Sequence, residues 1–145
     1  MHLGIIEGSG DLIFKRNNME DQMGNGKAMN PEVMKDRTKK FAKQIILLCR
    51  KMPKNREGNL IGNQIFRSGS SVASNYRAAC RGRSKAEFIA KMGIVEEEAD
   101  ETLFWLEVIE EVEIFKKDSI SSLMQECNEI LSIVVSSINT ARKRK

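Results

Sequence analysis

The chain has 145 residues, 24 Lys and Arg against 20 Asp and Glu, a formal charge of +4 and a single histidine. That length provides one domain with room for a real core, and no run approaches the roughly 18–20 apolar residues of a membrane span. Cys49, Cys80 and Cys127 are odd in number, far apart and without CxxC spacing, which argues against a disulfide frame and for reduced thiols. The first residues lack a basic segment followed by an apolar one, so no secretory signal is expected and a cytoplasmic location is.

In chain order, residues 1–29 hold two short apolar pieces among Gly, Asn, Asp and Met, with no sustained period. They read as a disordered extension ahead of a domain spanning residues 30–145. Asn30-Pro31 supplies a cap followed by proline at the first helical position. Phe41, Ile45, Leu48 and Met52 then recur on one face of a helix that ends before Pro53. Ile61, Ile65, Val72, Tyr76 and Ala79 mark a second helix running to Arg81, with Gly82 as a left-handed terminator. Its small residues, Ser68 to Ser71 among them, let neighbouring backbones approach closely.

Ser84-Lys85-Ala86-Glu87 is a capping box placed directly ahead of Phe88 and Ile89. Met92, Val95, Ala99, Thr102, Leu106 and Ile109 continue the stripe of a long third helix. Asp118 or Ser119 can cap a fourth, whose stripe is Ile120, Leu123, Cys127, Ile130, Val134 and Ile138. No segment alternates with period two for long enough to form a sheet. The fold expected is all-α, an antiparallel up-down-up-down four-helix bundle. Leu103, Phe104 and Val108 widen the third stripe, and Ile133 and Val135 the fourth, surplus apolar surface of the kind that serves subunit contact.

Reaction chemistry finds little support. Glu97, Glu98 and Glu101 lie at helical spacing, but a di-iron bundle also needs inward histidines, and His2 lies in the extension. No GxSxG elbow or complete phosphate loop occurs; GNGK at 24–27 lacks the rest of one. No catalytic residue, metal or cofactor is therefore assigned, and a non-enzymatic protein is expected. Charge segregation says more. Basic residues crowd 35–56, 67–85 and 142–145, whereas 96–113 carries acidic groups and no Lys or Arg.

The nucleic-acid-binding candidates are Arg67, Arg77, Arg81, Arg83 and Lys85. Arg77 and Arg81 lie one helical turn apart and share a face. Arg83 and Lys85 follow across the turn, beside the N–H groups that open the third helix. Guanidinium groups suit phosphate oxygens, and pairing with carboxylates of the third helix is the competing role. Asn75, Ser84, Glu87 and Phe88 read as structural residues. A buried Asn75 amide needs hydrogen-bond partners and could fix the register of neighbouring helices. Tyr76 could stack on a base or fill the core.

The segment from Gln64 and Ile65 through Arg67, Ser68, Ser71, Val72, Asn75 and Ala78 into the corner Arg83-Ser84-Lys85, with Glu87 and Phe88, resembles a bacterial family. It is the four-helix-bundle family of 23S ribosomal RNA intervening sequences. The likeness covers about residues 31–142. Asn75-Tyr76-Arg77-Ala78 stands where many relatives carry N-I-A-E-G, which points to a sub-branch. The resemblance implies a ring-like homopentamer and a link to ribosomal RNA. It is also related to the accessory protein of diversity-generating retroelements, which binds a reverse transcriptase and nucleic acid through a basic surface. The function expected is a homo-oligomeric bundle binding nucleic acid, structured or ribosomal RNA first. The alternative is a protein–protein adaptor or accessory subunit, for example for a reverse transcriptase or other polymerase.

Overall fold

A computed structural model describes residues 30–144. The expected N-terminal extension, with His2 and the GNGK segment, lies outside the described residues. Four helices follow one another: α1 (Pro31–Arg50), α2 (Arg56–Cys80), α3 (Lys85–Glu111) and α4 (Lys117–Lys143). They pack as an all-α four-helix bundle in which each helix lies beside the next and α4 returns to α1.

Each helix starts where a local signal dictates. Asn30 accepts from the Glu32 N–H at 2.9 Å, with Pro31 at the first position. α2 begins at Arg56, earlier than the apolar pattern from Ile61 implies, because Asn55 accepts from the Gly58 N–H at 2.8 Å. Ser84 caps α3 through the Glu87 N–H at 3.1 Å. The Glu87 carboxylate reaches one residue further than a capping box requires and takes the Arg83 N–H at 2.7 Å. α4 corrects the expectation that Asp118 or Ser119 caps it: Lys116 occupies the cap position without a side-chain bond, and Asp118 lies in the first turn. An acidic group there still complements the positive end of the helix.

The helix ends differ more from expectation. α2 closes at Cys80, and Gly82 does not adopt the left-handed conformation expected of it. Glycine is needed there for space instead, since a Cβ would lie 3.0 Å from the Ala79 carbonyl oxygen and 3.2 Å from the Phe88 nitrogen. The left-handed residue is Glu113, with φ 58°, just beyond α3. The Ile114 N–H returns to the Ile109 carbonyl and the Glu113 N–H to that of Glu110, both at 3.1 Å. Those two bonds form a Schellman closure with glutamate in the seat usually held by glycine.

The stripes converge on one core. Phe41, Ile45, Leu48, Ile65, Val72, Met92, Val95, Leu106, Ile109, Ile120, Ile130 and Val134 are fully buried. Each contributes about 1.5–3 kcal/mol of burial, which outweighs the weak helix propensity of the serine-rich segment of α2. Ile133 belongs to this core, so it is not surplus surface. Gly69 brings α1 and α2 close: a Cβ there would lie 2.8 Å from two carbons of Ile45. Directly alongside, Ser68 and Thr102 hydroxyls meet at 2.9 Å between α2 and α3.

Candidate nucleic-acid interface

The up-down order places the C-terminal end of α2, the N-terminal end of α3 and the C-terminal end of α4 together at one end of the bundle. Arg77, Arg81, Arg83 and Lys85 are all exposed there. Arg81 is the capping residue of α2, its N–H bound to the Ala78 carbonyl while the Gly82 N–H takes that of Ala79. A cation at that position is favoured by the negative end of the helix dipole. The Lys85 ammonium donates to the Arg144 carbonyl, which ties the α3 corner to the end of α4. Arg142, Lys143 and Arg144 are exposed beside it. Residues nearly sixty positions apart in sequence thus join one basic surface. Periodicity alone could not pair those helix ends, so the α4 cations were not among the sequence candidates.

Among the described residues, Arg77, Arg81 and Arg83 take part in no ion pair. Arg67 is different. It points to α3, 3.0 Å from Glu98 and paired also with Glu101. The hydrogen bond that it donates to Glu98 leads the effects that hold its guanidinium above its ordinary pKa. Arg67 therefore belongs to the α2–α3 seam rather than to the open corner. Glu87 brings a carboxylate to that corner, but its oxygen is engaged by the Arg83 backbone.

The structural candidates resolve individually. Asn75 is half-buried and donates to the Ser71 carbonyl of its own helix at 2.9 Å, a bond that does not link neighbouring helices. Phe88 is half-buried and packs against the core at the start of α3. Tyr76 is 1 % exposed, which leaves its ring a core residue without a face to offer a base. Burial, then the neighbouring Cys80, pushes its hydroxyl pKa up. Cys49 is half-buried and burial raises its thiol to about 11, while Cys127 is fully buried and also pushed up. No cluster of three His, Cys, Asp or Glu that could hold a metal occurs among the described residues, and none of their helices is long and apolar enough to cross a membrane.

One polar feature escaped the sequence reading. Arg37, 2 % exposed, binds Glu126, 3 % exposed, across the α1–α4 seam, with Glu129 alongside at 3.0 Å. Burial alone would lower the Arg37 pKa, but the bond and charge of Glu126, reinforced by Glu129, outweigh it and raise the value. A signal existed: Arg37 lies one turn before Phe41 and Glu126 one turn before Ile130, opposite charges on two core stripes.

Comparison with curated proteins returned no match. Among solved structures, the chain is similar to a protein of unknown function from the S23 ribosomal protein family of Bacteroides thetaiotaomicron. The two are 32% identical over 75% of this chain and 97% of that one, with a TM-score of 0.71. The model of the 23S rRNA-intervening sequence protein family matches residues 32–136, which run from α1 into α4 and include Arg77 to Lys85 of the basic corner but not its α4 cations. On that match and that likeness, the chain belongs to the 23S rRNA-intervening sequence protein family.

Proposed function

We propose that this protein is a non-enzymatic, self-assembling helical bundle that binds structured RNA through the basic end formed by Arg77, Arg81, Arg83 and Lys85 with Arg142, Lys143 and Arg144. The observation that carries the reading is the convergence of three helix ends, sealed by the Lys85 contact to the Arg144 carbonyl. Cations gathered there without carboxylate partners keep their charge available to phosphate. The family's description adds an RNA context. Repeating a modest patch around an oligomer would raise avidity without new contacts.

The test is fluorescence-anisotropy titration of a structured ribosomal RNA fragment with the full chain, repeated across salt concentrations. Submicromolar binding that weakens steeply with salt supports the reading. Absence of binding at low salt, together with a nuclease-resistant protein partner, would replace it with the adaptor reading.

A further inference from the structure

α1 and α3 run in the same direction and occupy opposite corners of the bundle, each separated from the other by α2 and α4. Their outward faces carry opposite charge in the same spacing. On α1, Lys39, Lys43 and Arg50 recur at i, i+4 and i+11, with Leu47 between the last two. On α3, Glu96, Asp100 and Glu107 repeat that spacing, with Phe104 in the place of Leu47. Every α3 residue stands 57 positions after its counterpart (39 to 96, 43 to 100, 47 to 104, 50 to 107). None of the six charged groups has an ion pair among the described residues. Leu47 is 38% exposed and Phe104 51%, two of the few large apolar side chains left in the open. The Phe104 ring is positioned by an edge-on contact with Trp105, centroids 4.9 Å apart.

The two stripes also lie at one level. Ile45 packs on Gly69, and the adjacent Ser68 bonds Thr102, so Ile45 and Thr102 share a height. They too are 57 residues apart. We infer that the α3 stripe of one copy docks on the α1 stripe of the next, Glu96 to Lys39, Asp100 to Lys43, Phe104 to Leu47 and Glu107 to Arg50. This rests on the reading of the chain as self-assembling and specifies how it assembles. A slip of one helical turn sets Lys43 against Phe104 or Leu47 against Asp100, so the register is unique in its charge match. The contact joins two different faces, and such head-to-tail contacts form rings when they close and filaments when they climb. Stripes at equal height give successive copies no climb along the bundle axis. The same arrangement leaves the basic end of every copy uncovered on one side of the assembly.

The test compares the molar mass of the full chain by light scattering with that of two charge-reversed variants. One is Lys39→Glu, Lys43→Glu, Arg50→Glu; the other is Glu96→Lys, Asp100→Lys, Glu107→Lys. Wild type is expected as a finite multiple of the 16.4 kDa monomer. Each variant alone is expected at the monomer mass with its helicity intact, and the six changes in one chain are expected to reassemble. Should a triple variant lose helicity, the single pair Lys43→Glu and Asp100→Lys carries the same test, each dissociating and the two together restoring. Assembled wild type with both variants still assembled overturns this interface while leaving self-assembly standing. A wild type that stays monomeric at high concentration removes self-assembly itself. Loss of RNA binding by the α1 variant at unchanged mass overturns the interface and assigns that stripe to nucleic acid.

Discussion

The Arg37 guanidinium and the Glu126 carboxylate meet 2.9 Å apart inside the seam between the first and last helices, both all but closed to water. Solvent cannot replace a lost partner in this seam, but the guanidinium keeps Glu129 at 3.0 Å. Removing Arg37 leaves the Glu126 carboxylate buried and uncompensated, at a cost of about 3–5 kcal/mol. Arg37→Ala is expected to lose that much in urea unfolding, and Glu126→Ala to lose less, because Glu129 still faces the guanidinium. The double replacement Arg37→Met with Glu126→Leu should recover most of the loss, because an apolar pair of similar volume removes both desolvation costs. Equal damage in the single and double variants would show that packing, not charge, dominates the seam.

For the basic corner, Arg77→Glu with Arg81→Glu is expected to abolish retention of structured RNA at unchanged helicity and mass. Arg67→Ala should leave RNA affinity near wild type, because its guanidinium is already held by Glu98 and Glu101. Arg142→Ala with Lys143→Ala should weaken binding and flatten the salt dependence, since fewer counterions are displaced. Anisotropy titrations of the three variants read these effects side by side. Equal affinity across all of them would remove the corner as the interface.

Glu113 holds a left-handed conformation in which a side chain costs about 1 kcal/mol relative to glycine. It also adds negative charge at the negative end of α3, near Glu110 and Glu111. Glu113→Gly is therefore expected to stabilise the bundle by about 0.5–1 kcal/mol, after the entropy that glycine adds to the unfolded chain. Thermal melts at neutral pH would show a raised midpoint. A lowered midpoint would mean that the Glu113 side chain makes a favourable contact that outweighs its backbone.

Stability should fall in alkali. Burial holds Cys49 protonated up to about 11, against an ordinary 9.0, and pushes Cys127 and Tyr76 the same way. The folded state thus binds these protons more tightly than the unfolded chain does. Their contribution is complete below about pH 9 and is lost as pH climbs through about 11. Urea midpoints at pH 7, 9 and 10.5 should decline over the last interval, and Cys49→Ala should shrink the decline. A profile unchanged by Cys49→Ala would exclude that thiol as a contributor.

Much of the fold was legible because the core stripes are strongly periodic: Phe41, Ile45 and Leu48, or Val95, Ala99 and Leu106, report which face is buried with no help from their partners. The starts at Asn30 and Ser84 were equally local. What stayed hidden depends on contact between distant segments. Arg37 looks like a surface cation until Glu126 stands opposite it, and Gly82 looks like a left-handed terminator until the Phe88 backbone crowds it. At the corner, the sequence grouped Arg67 with Arg77 and Arg81 because they share a helix. The fold separates them, since Glu98 and Glu101 draw Arg67 toward α3. It also adds the end of α4, which no spacing rule connects to Lys85.

The seam that closes the bundle joins residues 89 positions apart, whereas the more extensive helix contacts all link sequence neighbours. α1 to α4 can therefore assemble progressively, each helix settling on the one before it, until the first and last strips of surface face each other. Joining those ends requires the largest loop closure in the domain, and it delivers an ionic pair rather than more oil. Such late contacts govern how long a native molecule survives more than how fast it forms. In stopped-flow measurements, Arg37→Ala should steepen unfolding many-fold while leaving the refolding rate almost untouched, making this one buried pair the timekeeper of the folded state.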